Sequence, residues 1–304
     1  MPRTKLAISV AAMIVVAVGG IWIGQRFGRW VTGPANAQER LPEVTQPAAA
    51  TSAIQATPIS ENIAAIGVSV QQTDGQSANE QPADFELLKA LNAKSAEKFL
   101  KPGWIHFAFQ SISDNDDGSN GDLGNGQVIP LNYISESWYR LNEKGEIVES
   151  VSLMIANDGQ IVQVGTLSDG VARNLTTNYI SEGQSPIPLY LDFGFVRDAT
   201  QAKEEGLQVT QTTASLDGRK VLVFVIRQSY EMAQKIVGYD QPVTSIEQQA
   251  LYDPDTGQLV QRVTVVKLAD GTERVGSGIT SVTIEPIGAP PDNVLDYLNM
   301  EVVK

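Results

Sequence analysis

The chain has 304 residues, of which 42% are hydrophobic, 19% charged and 7% aromatic, and its formal net charge is −13. It holds no cysteine and a single histidine, His106, which excludes Cys/His zinc sites, iron–sulfur clusters, disulfide scaffolds and thiol nucleophiles. The length allows one or two domains with a sizeable core, and the acidic balance argues against a nucleic-acid partner.

Residues 6–24 (LAISVAAMIVVAVGGIWIG) are an uncharged run of 19, ~28 Å long at the helical rise and close to the hydrocarbon thickness of a bilayer. Arg3 and Lys5 precede it, and Arg26, Phe27, Arg29 and Trp30 follow, a mixture that suits a headgroup region. The competing reading is a cleaved signal peptide, since Ala35-Asn36-Ala37 has the small-x-small form. A signal core is usually roughly 7–15 residues. The apolar run here is longer, and the site lies 13 residues beyond its end. An uncleaved anchor over 1–30 is therefore preferred. A short tail before a long acidic body favours keeping the tail in the cytoplasm. The expected location is the cell membrane, single-pass, with the C-terminal part outside the cytoplasm. Beyond Arg40 the chain carries 17 basic and 34 acidic residues, a formal −17.

Residues 31–83 contain no aromatic, no lysine and five prolines. Such a composition buries too little apolar surface to offset chain ordering, so a flexible linker is expected, ~40 Å root-mean-square as a coil. Ile59, Ile63, Ile66, Val68 and Val70 interrupt it and could dock as a strand or short helix.

The pattern changes at Asp84, where a domain over 84–304 begins. Asp84 can cap a helix carrying Phe85, Leu88, Leu91, Ala96 and Phe99, ended near Pro102-Gly103. Strands are then expected over 104–112, 137–141, 146–155 and 160–167, with Ile105, Phe107 and Phe109 sharing one face of the first. Turns at 142–145, 157–159 and 168–170 separate the later ones. After an irregular stretch with Pro186, Pro188 and the aromatic segment 190–195, strands resume at 207–216 and 219–229 around Asp217-Gly218, a strong hairpin signal. Residues 221–226 are apolar on both faces, as for a covered strand. Strands at 246–252, 259–268 and 273–285 follow, and Val294, Leu295 and Leu298 suggest a short closing helix.

Short turns require antiparallel neighbours, so the fold class is mainly β (α+β), a large antiparallel meander of about eight to ten strands. Twisted sheets of that width curl, and one or two helices cannot cover this one flat. A half-barrel results, whose apolar concave side either forms a ligand groove or is simply filled.

From Asp84 to about Leu298 the chain resembles the outer-membrane lipoprotein carrier (LolA/LolB) superfamily, whose fold is shared by sigma-factor regulators of the MucB/RseB type. The likeness is carried by a helix running directly into Gly103-Trp104-Ile105-His106-Phe107, by the succession of hairpins, and by Leu251-Tyr252-Asp253-Pro254-Asp255-Thr256-Gly257 before a last long strand. The resemblance implies an unclosed antiparallel barrel over helices, with an apolar cavity for acyl chains or a lipidated partner. The membrane span and linker depart from the soluble carriers, which argues against a shuttling role and leaves a stationary one open.

The candidate apolar groove residues are Trp104, Phe107, Phe109, Trp138, Tyr139, Tyr190, Phe193 and Phe195, which serve equally well as core. The loop 113–126 gathers Asp114, Asp116, Asp117 and Asp122 with glycines, a calcium candidate in composition. The EF-hand register fails there, because Gly124 occupies the bidentate Glu position when Gly118 is the invariant glycine. His106 is expected to pack on the face opposite Phe107. Asn174-Leu175-Thr176 is a glycosylation sequon by form. No cofactor is expected. The leading expectation is a bacterial membrane-anchored binding protein for a lipid, a lipidated protein or another envelope protein. The alternatives are a protein-interaction or sensor module with a filled core and, third, a hydrolase built on paired carboxylates.

Overall fold

The structure, a computed structural model, describes residues 80–113, 121–122, 128–129, 132–234, 239 and 241–300. The expected span at 6–24, nearly all of the linker, and Asp114, Asp116 and Asp117 lie outside the described residues, and the side chain of Asp122 is not described.

Helix α1 (Phe85–Phe99) starts where Asp84 accepts hydrogen bonds from the N–H groups of Glu86 and Leu87 at 3.0 and 3.1 Å. Its buried stripe, Leu88, Leu91, Ser95 and Phe99, repeats at helical spacing. A first run of strands follows: β2 (Gly103–Ile112), β5 (Tyr133–Leu141), β6 (Glu146–Ala156), β7 (Ile161–Ser168), β8 (Val171–Asn174) and β9 (Tyr179–Ser181). The two-residue strands β3 (Gly121–Asp122) and β4 (Val128–Ile129) pair only with each other. After β10 (Ile187–Pro188) and helix α2 (Phe195–Glu204) comes a second run: β11 (Gln208–Leu216), β12 (Arg219–Gln234), β13 (Val243–Tyr252), β14 (Leu259–Leu268) and β15 (Glu273–Ile287). Asp292–Leu295 forms the single turn α3, continued by a 3-10 turn over Asp296–Asn299. Asp217 and Gly218 both have positive φ, 51° and 77°, which a two-residue hairpin twisted with its strands requires.

The sheet has 13 strands, all paired antiparallel, in the order β1 (Gln81–Pro82), β11 to β15, β2, β5 to β9, with β10 beside β6. The sequence predicts one meander of eight to ten strands. The structure has two meanders fused where β15 pairs with β2, from Gly278↔Ile112 to Ile287↔Trp104. The strands missing from the expectation are short or carry little periodicity, and α2 stands where an irregular aromatic stretch was expected.

One cluster contains α1 (Leu88, Leu91, Phe99), α2 (Phe195, Ala199) and side chains from strands between β7 (Leu167) and β11 (Val209). Laid flat, those nine adjacent strands would span ~38 Å, whereas two helices abreast cover roughly 20–24 Å. The sheet bends around the helices, and the side facing them is its inner face. On the outer face, Val294, Tyr297 and Leu298 of the C-terminal turns pack on Trp138, Val151, Leu153 and Ile155. Burial of the alternating side chains on both faces accounts for the near-continuous apolar run at 221–226.

Gly257 fixes how α1 meets the sheet. Its φ is +73°, and a Cβ there would sit 2.1 Å from the Leu91 carbonyl oxygen. Lys94 Nζ also donates to the Pro254 carbonyl at 3.2 Å. Gly257→Ala should push the helix off the turn and cost about 2–3 kcal/mol, read as a lower urea midpoint at unchanged slope. A midpoint equal to that of the parent would show that α1 does not bear on this turn.

Candidate functional site

Cross-strand neighbours share a face, so the registers define what lines the inner wall. One row reads Phe109, Ser135, Met154, Gln163, and the next reads Phe107, Ser137, Ser152, Gly165, Asn174. In each row a serine follows the aromatic residue, and the second row continues through Ser152 to Gly165. Phe109, Ser135, Ser152, Met154, Gln163 and Gly165 are half-buried. A Cβ added at Gly165 would meet nothing nearer than the Arg173 carbonyl oxygen at 4.0 Å, so a side chain can start there without a clash.

The aromatic edge is tightly knit. The Phe193 ring centroid lies 5.4 Å from that of Phe107 and 5.2 Å from that of Phe109, and Tyr133 extends the chain 6.4 Å beyond Phe109. Phe193 holds a left-handed backbone, φ 51°, which costs energy for a bulky residue. Three bonds keep it there. Its carbonyl accepts from Arg262 at 2.6 Å, and Asp192 accepts from the N–H groups of Gly194 and Val196 at 3.0 and 2.8 Å. Burial pushes the Tyr139 phenol up, opposed by hydrogen bonds with Ser137 and Ser152. Tyr133 is raised by the same cause, opposed by Ser111.

Of the expected groove residues, Phe107, Phe109, Tyr139, Phe193 and Phe195 come together in the main cluster. Trp104 and Trp138 lie on the outer face with the C-terminal turns, and Tyr190 is 61% exposed. The periodicity within β2 and β5 already separates Trp104 from Phe107 and Trp138 from Tyr139. Ser135, Ser152 and Gly165, which shape the strip, carry no apolar signal that sequence reading could use. On β5 to β7, Trp138, Val151, Leu153 and Val164 point outward, while Tyr139, Leu141, Ile147 and Leu167 join the inner cluster beside the helices; small and polar residues line the inner wall at Ser135, Ser137, Ser152, Gln163 and Gly165.

His106 stacks on Trp138 at 5.0 Å, with Nε2 3.9 Å from Glu136. It is an outer-face packing residue. Asn174 is fully buried and accepts from the N–H groups of Thr176 and Thr177 at 3.0 Å, so its amide holds a turn and is closed to glycosylation in the fold. Two carboxylates approach the core centre, and both have structural partners. Asp192 accepts from the backbone of Gly194 and Val196 at the start of α2, while Asp198 receives Arg262 at 2.8 Å and Arg197 at 3.0 Å. Gln248 accepts from Arg262 at 2.9 Å. Among the described residues no group of three or more His, Asp or Glu is placed to hold a metal.

Sequence reading does not find the Arg262–Asp198 pair, because a lone arginine inside an apolar strand carries no partner signal. Arg262→Ala leaves the buried Asp198 with only the largely exposed Arg197 as a charged partner and should cost ~3–5 kcal/mol in urea unfolding. Arg262→Met combined with Asp198→Leu should cost less than the sum of the two single changes. Strict additivity would show the pair to be uncoupled. Burial pushes Tyr252 well above the ordinary 10.0; the Asp192 charge adds to the rise and Arg262 opposes it. The fold prefers the neutral phenol of Tyr133, Tyr139 and Tyr252. Their contribution is therefore complete below pH 10 and declines as pH rises past the unfolded value. Phenolate absorbance from all three should appear only with unfolding; titration of all three near 10 in folded protein would contradict this.

No protein-family model matches the chain, and no curated protein matches it in sequence. Among solved structures it is similar to MucB in complex with MucA(peri), at 13% identity and a TM-score of 0.36, over 69% of this chain and 58% of that one. The chain thus spans little more than half the length of the MucB chain. It is also similar to the Mycobacterium tuberculosis lipoprotein LppX, at 12% identity and a TM-score of 0.32, over 69% of this chain and 98% of that one. Both similarities are loose ones.

Proposed function

We propose that residues 84–304 are an extracytoplasmic binding module of the cell envelope, a half-barrel held at the membrane by the span 6–24 and the linker that follows. It receives an apolar or lipidated ligand along the strip between the Phe107–Phe109–Phe193 aromatics and Gly165. The observation that carries this reading is the half-buried group Ser135, Ser152 and Gly165 beside the aromatics, where a Cβ added at Gly165 would make only an ordinary contact, 4.0 Å from the Arg173 carbonyl oxygen. Binding works by removing apolar ligand surface from water, at ~25 cal/mol per Å², with no covalent step. Serine hydroxyls along the wall suit the ester or amide end of such a ligand.

A second reading, an interaction module whose interior is already filled, is favoured by the helices. Leu88, Phe195, Phe224 and Tyr252 are 0% exposed, so α1 and α2 occupy most of the inner volume. The two readings differ at one position. Gly165→Leu places a side chain on the strip, starting from a Cβ that meets only an ordinary contact at 4.0 Å. Under the ligand reading it should weaken binding of the neutral fluorophore N-phenyl-1-naphthylamine at least tenfold, ~1.4 kcal/mol, with little change in Tm. Phe109→Ala should weaken the probe by a similar factor. Probe affinity that ignores both changes, together with no lipid in mass spectra of the purified protein, would leave the interaction module as the answer.

A further inference from the structure

One edge of the sheet is built without the usual protection. Strand β11 pairs with β12 without a break from Gln208↔Arg227 to Leu216↔Arg219. On its other side only Gln81 and Pro82 of β1 join the ladder, opposite Gln211 and Thr210. The Ala83 N–H donates to the Val209 carbonyl at 3.1 Å, so Val209 directs its backbone to that side. Backbone groups of successive strand residues face alternate sides, which puts the N–H and C=O groups of Thr213 and Ser215 on the open edge as well. Among the described residues nothing pairs with them there. Natural edges are blunted by charge, proline, bulges or shortness. Residues 208–216 contain no charge and no proline, and their register has no shift. The opposite edge, β9, is only three residues long.

The side chains along this edge define what it accepts. Ala214 and Leu216 lie in a cluster with Val221 and Val223, whereas Thr213 and Ser215 are exposed on the other face. At the hairpin that ends β11, Arg219 and Lys220 are both exposed, and neither takes part in an ion pair among the described residues. Even with Asp217 beside them the tip is net positive, in a chain that carries a formal −17 beyond Arg40. A second copy of the chain does not fit. Antiparallel self-pairing of Thr213 with Ser215 would bring Asp217 of one copy beside Gln211 of the other, where Gln81 already sits.

We propose that the β11 edge is a docking site for an extended segment of another protein, which joins the sheet as a further antiparallel strand. The N–H and C=O groups of Thr213 and Ser215 supply the pairing. Aliphatic side chains of the incoming strand lie beside Ala214 and Leu216, and small polar ones lie beside Thr213 and Ser215. Antiparallel entry puts the N-terminal end of that strand at the hairpin, so acidic residues there meet Arg219 and Lys220. The candidate strip lies on β2 and β5 to β7, on the far side of the second meander. Docking at β11 therefore does not depend on the strip holding a ligand.

A synthetic peptide tests this on the full chain. The probe is a fluorescein-labelled peptide with a pair of glutamates followed by valine alternating with threonine, and binding is read by anisotropy. It should bind and slow hydrogen exchange severalfold at the amides of Thr213 and Ser215. N-methylation of the peptide at the groups that face β11 should weaken binding about tenfold. Ser215→Pro should act similarly, because the N–H it removes faces the edge and not β12. Exchanging the glutamates for lysines, or Lys220→Glu, should weaken binding severalfold. No binding, or binding that ignores N-methylation, would overturn the proposal whether or not the proline variant folds. Slow exchange at positions 213 and 215 before peptide is added would show an edge already covered and overturn it too. So would a parent dimer that Ser215→Pro dissociates, which would assign the edge to a second copy.

Discussion

The pairing of β15 with β2 is the contact on which the rest of the structure depends. It joins residues about 170 positions apart in the chain, from Gly278↔Ile112 to Ile287↔Trp104. Closing so long a loop costs entropy that only the completed sheet returns. Without it, β2 and β15 would each be an edge strand, and two separate hairpin arrays would expose their apolar faces. With it, Ile105 and Phe107 stand beside Ile284 at the centre of one sheet, and a single cluster can form against both helices. The exit of β15 at Ile287, beside Trp104, also delivers Val294 and Leu298 to the outer face of β5 to β7.

That delivery shapes the candidate site. The outer face of β5 to β7 gains a cover, and Trp138, Val151, Leu153 and Ile155 pack beneath it, while Tyr139, Leu141, Ile147 and Leu167 of the same strands face the helices. The inner face of the same strands carries Ser135, Ser137, Ser152 and Gly165, which need no second layer to remain stable. At its other border, the strip meets an aromatic cluster held by polar pins. Asp192 sets the first turn of α2, and Arg262 binds both Asp198 on that helix and the carbonyl of Phe193. A buried ion pair costs desolvation and contributes little net stability. Its geometric effect here is to fix Phe193 between Phe107 and Phe109 and so define the wall of the strip.

Local elements were legible wherever local chemistry specifies them. Asp84 marked the start of α1, Asp217-Gly218 marked a hairpin, and β14 runs over the residues its alternation predicts. Helix α2 was missed because Phe195, Ala199 and Ala202 give only a narrow apolar stripe in a polar decapeptide, and its N-cap is Gly194, with no side-chain cap, after a left-handed Phe193. The face of each aromatic was readable within its own strand. That Trp104 and Trp138 would meet the C-terminal turns was not, since the partner lies far along the chain.

By itself, the sequence determined the antiparallel character, the sites of the turns, the principal helix and the alternation that sends neighbouring side chains to opposite faces. These follow from backbone geometry and side-chain periodicity within a few residues. Only the tertiary structure decided which strands at the ends of the two meanders become neighbours and which face of each strand is inside. It also decided where the wall is left to serine and glycine. Such outcomes depend on pairings across more than a hundred residues, and no local pattern encodes the energy of a contact whose partner is that distant.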